Sequence, residues 1–455
     1  MTTLDDDLTD VHPTRQLLGI AAATSVTLPA LLIRFLEPEL PHPLEAFLFG
    51  LAIVGSAFLL SWAAEVAQLD ISAGLAISIL ALIAVLPEYA VDFVFAWKGG
   101  EAYQAAGYTS CPPLPGGGVE SPCSLALANM TGANRLLIGI GWTMVVFIAF
   151  IRLRSKGLIP KGVRWAGVHL DRVHTVEISF LAIATLYSLT LPLKESITLI
   201  DSAVLVTIFV LYAIRISRAP AEEPHLVGPA RYLGTFSTVW RRAAVIGITV
   251  FAAAIILLCA ERFAEALVAT GEAYGISEFL LVQWLAPLAS EAPELLIAGL
   301  YAWRLNTNAG LGTLVSSKVN QWTLLVGTLP IVFAFSSASL HGLPIDEVQR
   351  EELFLTAAQS YFAISVLLNL SMSLREAGFL FGLFWIQFIL GALVPAEYQA
   401  IERIGVGIVY LVLGTWLVVG NWHAVPRLFH DGLRAPYAEL TRHPSRSVTD
   451  VHDID

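Results

Sequence analysis

Apolar runs of about twenty residues recur along nearly the whole chain, each long enough to cross roughly 30 Å of hydrocarbon as a helix. A bilayer offers no water to the backbone, so runs of this kind close their own hydrogen bonds as helices. Composition agrees: 56% of residues are hydrophobic and 14% charged, against roughly 25% charged in soluble domains. Mean hydropathy is +0.70. The net charge of -11 comes from acids in tails and loops, and no nucleic-acid partner is expected. The first residues include Asp5, Asp6 and Asp7, unlike the basic start of a cleaved signal peptide. An all-α polytopic membrane protein in contact with the lipid bilayer is expected.

Twelve membrane helices are expected, at about 16–35, 44–66, 73–97, 125–151, 175–191, 197–214, 243–260, 278–303, 310–335, 354–374, 378–393 and 404–419. A polar tail without regular structure is expected from about Asn421. Arg152, Arg154, Lys156, Lys161, Arg164 and Arg172 crowd one connection; Arg215, Arg218, Arg231, Arg241 and Arg242 crowd another. Helix alternation puts both on one side with both tails, and that side is the cytoplasm by the positive-inside rule.

Two stretches inside these runs match each other. Pro87-Glu88 begins Pro-Glu-Tyr-Ala-Val-Asp-Phe-Val-Phe-Ala-Trp97-Lys98, and Pro293-Glu294 begins Pro-Glu-Leu-Leu-Ile-Ala-Gly-Leu-Tyr-Ala-Trp303-Arg304. Pro, Glu, Ala and Trp recur in register, followed each time by a base. The repeat spans five crossings, so the two copies enter the membrane from opposite sides. Helices two to six and seven to eleven read as inverted repeats, a transporter plan with its site at the midplane.

An ionised side chain at a helix centre costs about 2.5–3.5 kcal/mol on insertion scales, so two glutamates there call for a reason. Each follows a proline, which removes a backbone donor and frees a carbonyl near the carboxylate. Carbonyl and carboxylate together make an oxygen-rich pocket suited to a hard cation. A carboxyl out of water also exchanges a proton for a metal ion more readily. Glu291 faces either the same cavity or a neighbouring helix; Asp92, four residues after Glu88, is either an access-path carboxylate or a capped helix-end residue. Asn134, Ser290, Ser317, Asn320 and Gln321 are either ligands or helix-to-helix contacts.

These motifs resemble the cation/calcium exchanger superfamily, the sodium/calcium exchangers and their proton-coupled relatives. That family carries two inverted repeats, each with a G-T-S-L-P-E-like helix followed by a G-S-N-I-like helix. Pro87-Glu88 and Pro293-Glu294 match the first element. Gly132-Ala133-Asn134 and Ser316-Ser317 fall where the second begins, and Gly275-Ile276-Ser277-Glu278-Phe279 resembles the family's G-I-S-E-F. The resemblance covers roughly residues 44–393 and implies ten core helices, the first and last helices here being additions. It implies residues 1–43 as a tail and extra helix, 44–215 and 243–396 as the two halves and 216–242 as a cytoplasmic linker. Residues 397–420 are then an extra helix and 421–455 a cytoplasmic tail.

The sequence also departs from the pattern. The hydroxyl ligands before Leu-Pro-Glu fall on Ala84 and Val85 in the first repeat, and on Ser290 and Glu291 in the second. The later ligands fall near Leu137 and Gln321. Arg135 and Lys318 stand where the family has Ile and Asn, and a base within reach of each glutamate would hold it ionised and partly replace a cation. The chain is therefore expected to be a secondary cation antiporter working by alternating access on Glu88 and Glu294. It would exchange Na⁺, K⁺ or Ca²⁺ against H⁺ or Na⁺, with proton-coupled monovalent exchange favoured and Lys318 alternating on Glu294. The rival is a transport-inactive or sensing protein in which Arg135 and Lys318 form structural ion pairs with the glutamates.

Cys111 and Cys123 bracket a Pro/Gly-rich loop on the predicted outer side, where they form a disulfide or remain two loop thiols. Cys259 reads as packing. The sequence has no HExxH, Walker or serine-nucleophile motif, so an enzyme is not expected, nor any cofactor beyond the transported cation. The lack of a long loop between the halves points to a bacterial cytoplasmic membrane.

Overall fold

The computed structural model describes residues 13–70, 86–113, 119–159, 167–219, 226 and 228–441. Ala84, Val85, Lys161, Arg164 and the start of the third expected helix lie outside them.

The first expected helix is two: α1 (Pro13–Ser25) and α2 (Leu28–Leu36), divided where Pro29 enters the first turn of the second. Next come α3 (His42–Ala67), α4 (Leu86–Ala105) and α5 (Pro122–Leu136). A π-helical segment, Leu137–Trp142, runs α5 straight into α6 (Thr143–Ser155). Then follow α7 (Thr175–Ser188), α8 (Leu199–Ile216), the short α9 (Pro229–Gly234) and the long α10 (Thr238–Tyr274). The second half continues with α11 (Glu278–Trp303) and α12 (Thr307–Asn320). A second π-helical segment, Gln321–Leu325, leads from α12 into α13 (Val326–Ser337). The remaining helices are α14 (Glu347–Val366), α15 (Leu374–Leu393), α16 (Ala396–Gly420), α17 (Ala424–Leu433) and α18 (Tyr437–Leu440). Nine helical stretches among the described residues are long and apolar enough to cross a membrane, against the twelve expected from sequence. The third expected helix begins outside the described residues, and α11 and α14 carry charged side chains that dilute their apolar character.

Four two-residue strands make the inversion visible. β1 (Val168–His169) precedes α7 and pairs antiparallel with β4 (Ser371–Met372), which follows α14. β2 (Ser196–Ile197) follows α7 and pairs with β3 (Leu343–Pro344), which precedes α14. The start of α7 therefore lies at the end of α14, so the two run in opposite directions. The two π-helical segments fall at corresponding places, one in each half. Long helices α3 and α10 pack along each other.

Alternation of the crossing helices puts the end of α6 (Arg152, Arg154), the approach to α7 (Arg172), the end of α8 (Arg215) and the start of α10 (Arg241, Arg242) on one side of the bundle; there Asp70 takes a bidentate pair from Arg241 at 2.7 and 2.8 Å. On the opposite face Cys111 and Cys123 are joined as a disulfide.

The segment after Asn421 departs from expectation. Instead of an unstructured tail it forms α17 and α18, which fold back over the start of α7 on the basic face. Leu428, Ala435, Tyr437 and Leu440 are buried there. Arg215 donates to the carbonyls of Gly432 (3.0 Å), Asp431 (3.3 Å) and Ala435, taking up acceptors that the end of α17 leaves open. Its guanidinium also lies 4.7 Å from the centre of the Tyr437 ring.

Candidate functional site: a buried carboxylate cluster shared by the two repeats

The site is built where α4 and α5 of the first half meet α11 and α12 of the second. α11 carries two internal prolines, Pro287 and Pro293. Each lacks the N–H that would bond four residues back, which leaves the carbonyls of Gln283 and Ala289 without that helical partner. The consequence at Gln283 is a close helix crossing. A methyl group on Gly132 of α5 would lie 1.7 Å from the Gln283 carbonyl oxygen, so only glycine fits there.

Three carboxylates converge from the two halves. Glu88 and Glu291 are buried, Glu294 keeps partial exposure, and the charge of Glu88 acts on both of the others. Each has an enclosed Oε2 with no hydrogen-bond partner among the described residues. Glu291 Oε1 accepts from Gln321 Nε2 at 2.8 Å, and Gln321 Oε1 has no partner among the described residues. Gln321 is the first residue of the second π-helical segment, a helix widening often found at functional positions.

Asp92, buried one turn beyond Glu88, extends the cluster. Its Oδ1 accepts from Asn129 Nδ2 at 2.7 Å, while Asp92 Oδ2 and Asn129 Oδ1 have no partner among the described residues. Asn129 is missing from the sequence reading, although an asparagine deep in an apolar run was a signal available to it. Asn320 is buried, and its Oδ1 has no partner among the described residues. Ser290 donates within its own helix to Pro287 O at 3.2 Å, and Ser317 is half-buried on α12.

The two bases do not sit where the sequence placed them. Arg135 does not pair with Glu88: its Nη1 donates to Glu352 Oε2 at 2.7 Å, its Nη2 to Gln387, and its guanidinium covers the Trp284 ring at 5.1 Å. Glu352 also receives Gln283 Nε2 at 3.0 Å and Arg403 Nε at 3.0 Å, which ties α5, α11, α14 and α16 together. Lys318 likewise does not pair with Glu294. Its Nζ donates to Asn134 Oδ1 at 2.7 Å and to Asn134 O at 2.9 Å, and lies 4.5 Å from the centre of the Trp322 ring. Its charge reaches Glu291 without a direct bond. Sequence spacing could not show this, because Glu352 and Gln387 lie 217 and 252 residues from Arg135.

Chemically, the cluster is a set of acceptors short of donors. Buried oxygens normally have hydrogen-bond partners, and several carboxylates in one buried site need counter-charge or protons.

A model of the sodium/calcium exchanger protein family matches residues 44–217 and 244–394. Among solved structures, the chain is 40% identical to one described as the H⁺/Ca²⁺ exchanger CAX, with a TM-score of 0.82, covering 94% of this chain and 99% of that one. It shares its fold, at 14% identity and a TM-score of 0.53, with native YfkE, covering 88% of this chain and 100% of that one. No curated protein matches. The family model covers more than two thirds of the chain, and the chain belongs to the sodium/calcium exchanger protein family.

Proposed function

We propose that the chain exchanges Ca²⁺ against H⁺ by alternating access, with Glu88, Glu291 and Glu294 holding the ion and Gln321 orienting Glu291. The observation that carries this reading is the convergence of three carboxylates that, among the described residues, have unpartnered oxygens and no base bonded to them. Three ionised carboxylates in a buried site repel one another, so the site is filled either by a divalent cation or by protons. One Ca²⁺ traded against protons keeps the charge of the site nearly constant through the cycle. Oxygen ligands from carboxylate, amide and freed carbonyl groups suit a hard cation.

The relative described as an H⁺/Ca²⁺ exchanger supports calcium as the ion and protons as the counter-ion. The preference for a monovalent ion loses its basis, because it required Lys318 to alternate on Glu294. Lys318 instead holds Asn134. Asp92 with Asn129 forms a second polar layer one turn along α4, placed to receive the ion as it enters or leaves. The positive-inside rule supports a cytoplasmic side for the basic ends of α6 and α8.

Purified protein in liposomes, with a proton gradient imposed across the bilayer, tests the reading. Radiolabelled Ca²⁺ accumulates against its gradient and protons move the opposite way. Accumulation of Na⁺ or K⁺ instead, or of no ion, overturns it.

A further inference from the structure

We propose that the basic side carries a binding site for the phosphate headgroup of an anionic phospholipid, built between the docked helix α17 and the ends of α7 and α14. The site lies apart from the carboxylate cluster and does not depend on which ion is moved.

A cavity of about 510 Å³ opens there, within the roughly 300–1,000 Å³ of small-molecule sites. Three parts of the chain wall it: Arg172 before α7, Asn369 and Leu370 after α14, and His423, Arg427 and Asp431 around α17. Two of these charges cancel, because Arg172 donates Nε and Nη2 to Asp431 Oδ2 at 3.2 and 2.7 Å. Arg427 is left over. It is exposed and has no hydrogen bond or ion pair among the described residues. Asn369 Oδ1 accepts from Ser371 N and Oγ at 3.0 and 2.9 Å, so its amide nitrogen remains as a donor. The cavity thus holds uncompensated positive charge and donors short of acceptors, the reverse of the carboxylate cluster. A guanidinium fork beside further N–H donors matches the oxygens of a phosphate.

Depth in the membrane selects a lipid as the source of that phosphate. Helix α16 is long and apolar enough to cross a bilayer and ends at Gly420, on the cavity wall. Trp416 and Trp422, 71% and 60% exposed, flank that end, and tryptophans collect at the level of the headgroups. Helix α17 leaves the crossing helix at this level. Its Leu428 is buried and Ser179 Oγ of α7 donates to the Leu428 carbonyl at 3.0 Å, while Arg427, His430 and Arg434 stay exposed. That is the pattern of a helix lying in the interface plane. Basic pockets between membrane helices on the cytoplasmic side hold anionic headgroups, and the positive-inside rule supports that side here. A headgroup bound in the cavity joins α17 to the ends of α7 and α14, the antiparallel pair that relates the two repeats.

The test uses the full chain in neutral detergent. Bound lipid is counted by native mass spectrometry, and the melting temperature gives a second reading. Phosphatidylglycerol, phosphatidylcholine and inorganic phosphate are titrated separately onto wild type, Arg427→Gln and Arg434→Gln. Arg434 lies outside the cavity, so its variant makes the same change of net charge without touching the site. Wild type is expected to bind phosphatidylglycerol about five-fold or more tighter than phosphatidylcholine and to melt higher with it. Arg427→Gln loses that preference and the rise in melting temperature, whereas Arg434→Gln keeps both. Equal binding of the two lipids by wild type, or equal losses in the two variants, overturns the site. Inorganic phosphate that raises the melting temperature as much as phosphatidylglycerol at the same concentration assigns the cavity to a soluble anion and overturns the lipid.

Discussion

Lys318 Nζ donates to both oxygens of Asn134, 2.7 Å from Oδ1 and 2.9 Å from the backbone carbonyl. The contact joins α5 of one repeat to α12 of the other beside the carboxylate cluster. Lys318→Met keeps the stem and removes the donors, leaving buried acceptors without a partner. The expected loss is about 1–3 kcal/mol of stability, read as a lower melting temperature in detergent. A melting temperature equal to wild type would show that the lysine does not hold the repeats together.

Glu88 and Glu294 carry the ion in the proposed cycle, so Glu88→Gln and Glu294→Gln should each abolish driven uptake. Binding that is selective for the folded state stabilises it by about 2.7 kcal/mol at a hundred times the dissociation constant. Wild type should therefore melt at higher temperature with Ca²⁺ present, and neither variant should respond. A full Ca²⁺ response in both variants would move the site elsewhere.

The Pro-Glu pairs were legible because a proline and a carboxylate inside an apolar run are costly in any reading, and their reversed recurrence implied inversion. The partners of Arg135 and Lys318 were not. Helical periodicity states which face a residue is on, but not which distant helix packs against it. Polarity misled at the C-terminal segment, although Val425, Leu428, Phe429 and Gly432 follow the spacing of one helix face.

Asp70 lies in the loop after α3, where the Arg241 guanidinium holds its carboxyl below the usual carboxylate range. A carboxyl with a lowered folded-state pKa contributes stability above its unfolded value of about 4, and that stability is lost as the pH falls through the folded value. Asp70→Asn should cost about 1 kcal/mol at pH 7, since the pair is bidentate but near the surface. Wild type and variant should converge in melting temperature below about pH 4. A gap that persists in acid would mean that the loop owes its stability to something other than the ion pair.

Gly132 gives the sharpest geometric prediction. The carbonyl of Gln283 points out of α11 because Pro287 offers it no N–H, and α5 crosses at that point with glycine beneath it. A methyl there would stand 1.7 Å from the oxygen, well inside contact distance. Neither group is the end of a flexible side chain, so relief requires moving one helix against the other. Overpacking of this kind costs about 1–3 kcal/mol and occasionally more, and the crossing backs the carboxylate cluster. Gly132→Ala should therefore lower both the melting temperature and driven Ca²⁺ uptake. Gly378→Ala, on a helix face with nothing within 4 Å of the added methyl, serves as the control and should change neither. Equal behaviour of the two variants would mean that α5 and α11 do not cross this closely.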